Sequence, residues 1–235
     1  MATGVILTSL ARVSPPRTAL LAGATGLVGS HVLRLLLADP HWSRVVTLGR
    51  RATPQAHDKL EQRIVDLGAL EALADLPRGD VFCCLGTTIK RAGSQEAFRR
   101  VDYDYVVELA RAGLHAGATQ FLLVSAIGAD PASRVFYSRV KGEVEAAVRQ
   151  LSPPYRGVQI FRPSLLLGER AEVRLGERIA MLLAPILSLA LVGQLRRYRP
   201  IRAATVARAM VQIAKEAPRG PNVFEHDAMI AAAAS

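Results

Sequence analysis

Three residue types at particular spacings carry the chemistry in this sequence. Tyr137 and Lys141 stand four apart in Tyr137-Ser138-Arg139-Val140-Lys141, a spacing that puts both on one face of a helix. Ser125 closes an apolar run, Gln120 to Val124, twelve residues before the tyrosine. Together they suit reduction of a carbonyl. A nearby ammonium favours ionisation of a phenol, each pKa unit being worth about 1.4 kcal/mol. Tyr137 then donates its proton to the developing alkoxide, and Ser125 holds the carbonyl with a second hydrogen bond. Lys141 also has donors for the ribose hydroxyls of a nicotinamide cofactor.

A cofactor turn lies upstream. Gly23-Ala24-Thr25-Gly26-Leu27-Val28-Gly29 follows the apolar run Ala19 to Ala22 and opens a segment, Leu27 to Ala38, that is apolar at helical spacing. In this G-x-x-G-x-x-G pattern the first two glycines admit a pyrophosphate close to the backbone, and the third lets helix and strand pack tightly. Gly23, Thr25, Gly26, Leu27, Val28 and Gly29 are therefore the candidate phosphate-binding set, at a helix N-terminus whose free N–H groups attract an anion. The next apolar run ends Leu48-Gly49-Arg50-Arg51, where an acidic residue would favour NAD. Arg50 and Arg51 instead suit a 2′-phosphate, so the expected cofactor is NADP(H). Asp66 and Leu67, after the third run, are candidates for the adenine.

These residues need a scaffold that brings strand ends together. Short apolar runs at Ala19–Ala22, Val45–Leu48, Ile64–Val65, Val81–Leu85, Gln120–Val124 and Val158–Phe161 alternate with helical segments at Leu27–Ala38, Asp104–Ala116 and Val135–Leu151. That alternation implies βαβ units, and the economical topology is a doubly wound parallel sheet, the Rossmann fold. Residues 1–17 read as a flexible arm and 18–235 as one dinucleotide-binding domain, with 164–235 forming a small helical substrate cap. Within the cap, Ile179 to Val192 is too short for a bilayer span and contains Pro185, so it reads as a buried or cleft-lining helix. It points to an apolar or amphipathic small-molecule substrate. Ala203 to Ala217 is a last helix, stopped by Pro218 and Gly220-Pro221, and Ala231 to Ala234 a frayed tail.

Composition bounds the alternatives. With 235 residues, 50% hydrophobic and 21% charged, the chain is neither disordered nor fibrous. Cys83 and Cys84 are neighbours in an apolar run, which excludes a disulfide framework and a multi-cysteine metal site. No metal is expected, and His31, His57, His115 and His226 stand isolated. The formal charge is +10, but 26 of the 30 basic residues are scattered arginines and no long basic arm exists, which argues against nucleic acid. The N-terminus lacks a basic segment before its short apolar run, so a cytoplasmic location is expected.

The chain resembles the atypical short-chain dehydrogenase/reductases, and within them the Tat-interacting-protein group of NADPH-binding proteins. The resemblance runs from Thr18 to Phe224. It rests on Gly23–Gly29, Gly49-Arg50-Arg51, Phe82 to Thr88, Arg100 to Val106, Tyr137 to Ala146, and Arg162-Pro163. It implies that Leu85, Gly86 and Thr87 lie beside the cofactor ribose and Pro163 near the nicotinamide. Many relatives carry asparagine, part of a proton relay, where this chain has Asp102; the aspartate either serves the relay or braces the following helix. The resemblance also admits a second role, a catalytically silent NADPH-binding module that regulates a protein partner; the partners expected are a small-molecule substrate and either a second copy in a homodimer or another protein.

Overall fold

The computed structural model describes residues 17–68, 76–168 and 193–235. Seven parallel strands form one sheet in the order β3-β2-β1-β4-β5-β6-β9. They are β1 (Arg17–Ala22), β2 (Trp42–Gly49), β3 (Leu60–Ile64), β4 (Asp80–Cys83), β5 (Gln120–Val124), β6 (Gly157–Phe161) and β9 (Gly220–Phe224). A two-stranded pair, β7 (Leu166–Leu167) with β8 (Ile201–Arg202), stands apart. The helices are α1 (Leu27–Ala38), α2 (Ile89–Ala92), α3 (Gln95–Arg99), α4 (Tyr105–His115), α5 (Phe136–Gln150), α6 (Ala203–Glu216) and α7 (His226–Ala234). This is the doubly wound architecture expected from the alternation.

The central strands β1, β4, β5 and β6 are buried on both faces, and their side chains alternate between two cores. Ala19 and Leu21 of β1, Phe82 of β4 and Leu122 of β5 join Leu33 and Leu36 of α1 and Val206 and Met210 of α6. Their neighbours Leu20, Ala22, Val81, Cys83, Phe121 and Leu123 face Leu109 of α4 and Val144 and Val148 of α5. Period-2 side chains with apolar residues at every position leave no solvent face, so each side needs its layer of helices.

Three expectations are corrected here. Arg17 is the first residue of β1, not the end of an arm. Residues 203–235 are not cap: α6 packs against α1, and β9 is the seventh strand, in register with β6. Gly220 (φ 78°) and Pro221 look like a stop signal because Pro lacks an N–H, yet an edge strand tolerates it. The alanine run is helical, because Met229 is fully buried and Ala232 and Ala233 lie against the core. What remains for a cap among the described residues is the β7–β8 pair and a 3₁₀ turn, Gly193–Tyr198. The apolar segment Ile179–Val192 lies outside the described residues. No helix among the described residues is long and apolar enough to cross a membrane.

Candidate functional site

An all-parallel sheet places every strand's C-terminal end on one rim. Residues that follow β1, β2, β4, β5 and β6 in the sequence therefore meet there. The winding reverses between β1 and β4, which are hydrogen-bonded neighbours, and the crevice at that switch point is where this architecture takes its ligands.

The first glycine turn is built for close approach. Gly23 has φ 85°, and a Cβ on it would sit 2.4 Å from the Cys84 carbonyl oxygen at the end of β4. A Cβ on Gly29 would sit 2.1 Å from the Gly23 carbonyl oxygen. Between them the Gly26 N–H donates to that same carbonyl at 2.9 Å. Helix α1 begins at Leu27 with no side-chain cap and no acidic residue in its first turn. Its leading N–H groups, at Leu27, Val28 and Gly29, have no acceptor within the helix. A glycine-walled, uncapped helix start fits the pyrophosphate of a dinucleotide, and Thr25 stands exposed at its edge.

Arg50 and Arg51, exposed at the end of β2, form no ion pair among the described residues. Asp66 is exposed, and its Oδ1 accepts from the Gly68 N–H at 3.0 Å, an ordinary turn bond; Leu67 beside it is buried.

The second half of the site gathers around Lys141. Helix α5 carries Tyr137, Lys141 and Glu145 at four-residue intervals, so one stripe of the helix faces the rim. Lys141 is buried, and its Nζ lies 2.7 Å from Oδ1 of the fully buried Asp102. Asp102 sits in a π-type turn, Arg100–Asp104, between α3 and α4. Its Oδ2 accepts from the Thr87 N–H at 2.9 Å. Gly86 flanks the pair: a Cβ there would lie 3.5 Å from Asp102 Oδ1 and 3.9 Å from Lys141 Nζ. Burial pulls the Lys141 ammonium down, but the charges of Asp102 and Tyr137 outweigh it and hold the group above the usual lysine range. The half-buried Tyr137 ring packs on Phe98 with centroids 5.5 Å apart. The structure thus brings Gly86, Thr87 and Lys141 together, with Asp102 as their common partner.

Ser125 belongs to a different network. Its hydroxyl donates to Glu145 Oε1 at 2.6 Å. Glu145 is buried and also accepts from Arg162, through Nε at 2.9 Å and Nη2 at 2.6 Å. Arg149 reaches it at 3.4 Å, and Arg162 extends to Glu225 at 3.8 Å. With its proton on the Glu145 carboxylate, Ser125 couples the end of β5 to α5. The network ties the ends of β5, β6 and β9 to α5. Pro163 belongs to it through its carbonyl, which accepts from the Ile127 N–H at 2.9 Å. Glu145 and Arg162 both stand inside the resemblance motifs, but nothing in a 17-residue separation pairs them.

Cys83, Cys84, Arg196 and Arg197 are occupied or inert. Burial pushes the Cys83 thiol up to about 12 and Cys84 well above its usual value, so both behave as small apolar groups. Arg196 pairs with Asp227 at 3.2 Å, and Arg197 stacks over Tyr198. Among the described residues no group of three His, Cys, Asp or Glu is placed to hold a metal.

Fold and site together define a dinucleotide-binding α/β protein of the short-chain dehydrogenase/reductase type. The chain belongs to the NAD dependent epimerase/dehydratase family, whose model matches residues 19–225. It is 39% identical over 169 residues to Protein HTATIP2 of Rattus norvegicus, covering 70% of this chain and 69% of that one. It is 38% identical over 173 residues to Protein fmp52, mitochondrial, of Emericella nidulans, covering 70% and 73%. The fungal relatives are named as mitochondrial, which does not fit the cytoplasmic expectation. Among solved structures, UDP-glucose 4-epimerase from Thermotoga maritima superposes with TM-score 0.66 at 15% identity, covering 88% of this chain and 76% of that one. DesIV, a dTDP-glucose 4,6-dehydratase from Streptomyces venezuelae with NAD bound, gives 0.65 at 16% identity, covering 88% and 74%. At those identities the likeness is one of fold.

Proposed function

We propose that the chain is an NADPH-dependent oxidoreductase that reduces a carbonyl on an apolar or amphipathic small molecule. The observation that carries this reading is the placement of Tyr137 and Lys141 on one stripe of α5, with Lys141 beside Gly86 on the rim that holds the uncapped glycine turn. Leu27, Val28 and Gly29 would bind the pyrophosphate through backbone N–H groups, and Arg50 and Arg51 the 2′-phosphate. Bound NADPH would supply the hydride to the carbonyl carbon. Tyr137 donates its hydroxyl proton to the oxygen, which becomes the alcohol. Lys141 keeps two N–H bonds beyond the one directed to Asp102, and these suit ribose hydroxyls. Ser125 and Glu145 brace the β5 and β6 ends that frame Tyr137.

One observation favours a second reading, the catalytically silent module. The Ser125 hydroxyl is committed to Glu145, which leaves Tyr137 as the assigned donor to a carbonyl. Two measurements separate the readings. Titration of cofactor-free protein with NADPH and NADH is expected to show preference for NADPH, reduced about tenfold or more in Arg50→Ala/Arg51→Ala while NADH is little changed. Equal affinities would remove the 2′-phosphate assignment. Across a panel of apolar carbonyl compounds, Tyr137→Phe should abolish turnover and spare NADPH binding. Cofactor binding without turnover in the unmodified protein, with partner association that ignores Tyr137→Phe, would establish the second reading.

A further inference from the structure

We propose that Asp102 is a positioning residue for Lys141, holding its ammonium as a fixed charge at the cofactor ribose; the proposal rests on the NADPH reading above. The geometry argues against a passive role. A buried lysine without a counter-ion sheds its proton rather than remain charged in an apolar setting. Its four-carbon stem also leaves the ammonium free to wander unless something holds it. Asp102 meets both needs with a 2.7 Å contact and full burial.

Asp102 is itself fixed from two sides. The Thr87 N–H holds its second oxygen, and its backbone sits in a single π-type turn, a feature frequent at functional sites. Gly86 leaves the approach to the pair open where a side chain would cover it. The titratable groups that face Lys141 are Asp102 from the π-type turn, Tyr137 from α5 and Cys83 from β4. Burial keeps Cys83 protonated to about 12, so it contributes no competing charge across the working range. An asparagine at position 102 would still accept from Thr87 but would withdraw the full negative charge that contacts the ammonium.

The test reads the charge state of Lys141 first without cofactor. Competitive acetylation with acetic anhydride, mapped by mass spectrometry across pH, reports the unprotonated fraction of this amine. In the unmodified protein Lys141 should titrate above the ordinary lysine range of about 10.4. In Asp102→Asn it should titrate at least one unit lower, and Asp102→Glu should restore the original curve. Coincident curves for the unmodified protein and Asp102→Asn would overturn the proposal. If Asp102→Asn does not fold, the unmodified protein decides alone, a midpoint at or below about 10.4 overturning it.

NADPH affinity is then measured from pH 7 to 9.5. Asp102→Asn should lose affinity more steeply over that range than the unmodified protein, by about twofold for a midpoint one unit below about 10.4. Lys141→Met should bind weakly with no such slope. A purely structural Asp102 would weaken binding equally at every pH, and parallel curves would count against the proposal. Absence of NADPH binding in the unmodified protein would overturn the NADPH reading instead, and leave the acetylation curves to judge the lysine–aspartate coupling.

Discussion

The two ends of β4 treat a buried carboxylate in opposite ways. At the N-terminal end Asp80, 1% exposed, accepts from the Trp42 indole N–H at 2.9 Å and the Gln120 amide at 2.6 Å. Gln120 also donates to the Ala214 carbonyl of α6 at 2.8 Å, and Arg17 approaches Asp80 only to 3.7 Å. That end ties four elements together through neutral donors. Beyond the C-terminal end, Asp102 meets a lysine and Glu145 two arginines, all in direct contact. Neutral donors are enough to fasten a floor. A buried lysine at the rim stays charged because a buried opposite charge lies in contact with it. The same architecture therefore fastens one end with neutral donors and the other with buried ion pairs.

The sharpest way to break that contrast is to close the rim. Gly23→Ala places a methyl group 2.4 Å from the Cys84 carbonyl in a backbone with φ 85°. Such a residue in the left-handed region costs about 1–3 kcal/mol by strain alone, and β1 must also move from β4. NADPH affinity should fall more than 100-fold with a clear drop in melting temperature. Binding within threefold of the unmodified protein would mean that the turn is not the cofactor cradle.

Next in size is the difference between the two acids. Glu145→Gln leaves Arg162 facing a neutral amide in a largely buried position, and breaking such a pair costs about 3–5 kcal/mol. Asp80→Asn removes one acceptor from neutral partners and should cost about 1–3 kcal/mol. Urea unfolding of the two variants measures the gap directly. A larger loss for Asp80→Asn would reverse the assignment of floor and rim. Asp80→Asn should also leave NADPH affinity unchanged, since none of its partners lies on the rim.

How much of this was legible depended on distance along the chain. The bounds of α1 and β5 coincide with their apolar patterns, because periodicity is local and both segments are buried on a regular repeat. The glycine turn and the Tyr137–Lys141 stripe were legible for the same reason. The short helices α2 and α3 were not. They have few apolar residues and are fixed by caps, with Thr88 and Ser94 hydroxyls accepting from the N–H groups of Arg91 and Ala97. β9 hid behind Gly220-Pro221, since its strand character comes from pairing with β6, 63 residues earlier. Ser125 was placed at the correct strand end, without Glu145 as its neighbour there. Its bond to Glu145 is a tertiary choice between two acceptors, and spacing carries no information about it.

The smallest effect belongs to the exposed edge of the sheet, where ion pairs lie outside both networks. Glu61 on β3 accepts from Arg44 on β2 at 2.5 Å and from Arg63 at 2.6 Å, with its own side chain 36% exposed. Those hydrogen bonds, Arg44 first, hold the Glu61 carboxyl below the usual range against a small opposing effect of burial. The pairs are solvent-screened, so Glu61→Gln should cost no more than about 1 kcal/mol at neutral pH. A carboxyl lowered by folding contributes stability that is complete above its unfolded value, about 4.3, and lost as pH falls through its folded value. The gap between Glu61→Gln and the unmodified protein should therefore be widest near neutrality, close progressively below pH 4, and shrink in high salt. An undiminished gap at low pH would show that Glu61 acts by packing between β2 and β3, and that even this edge follows the logic of the floor.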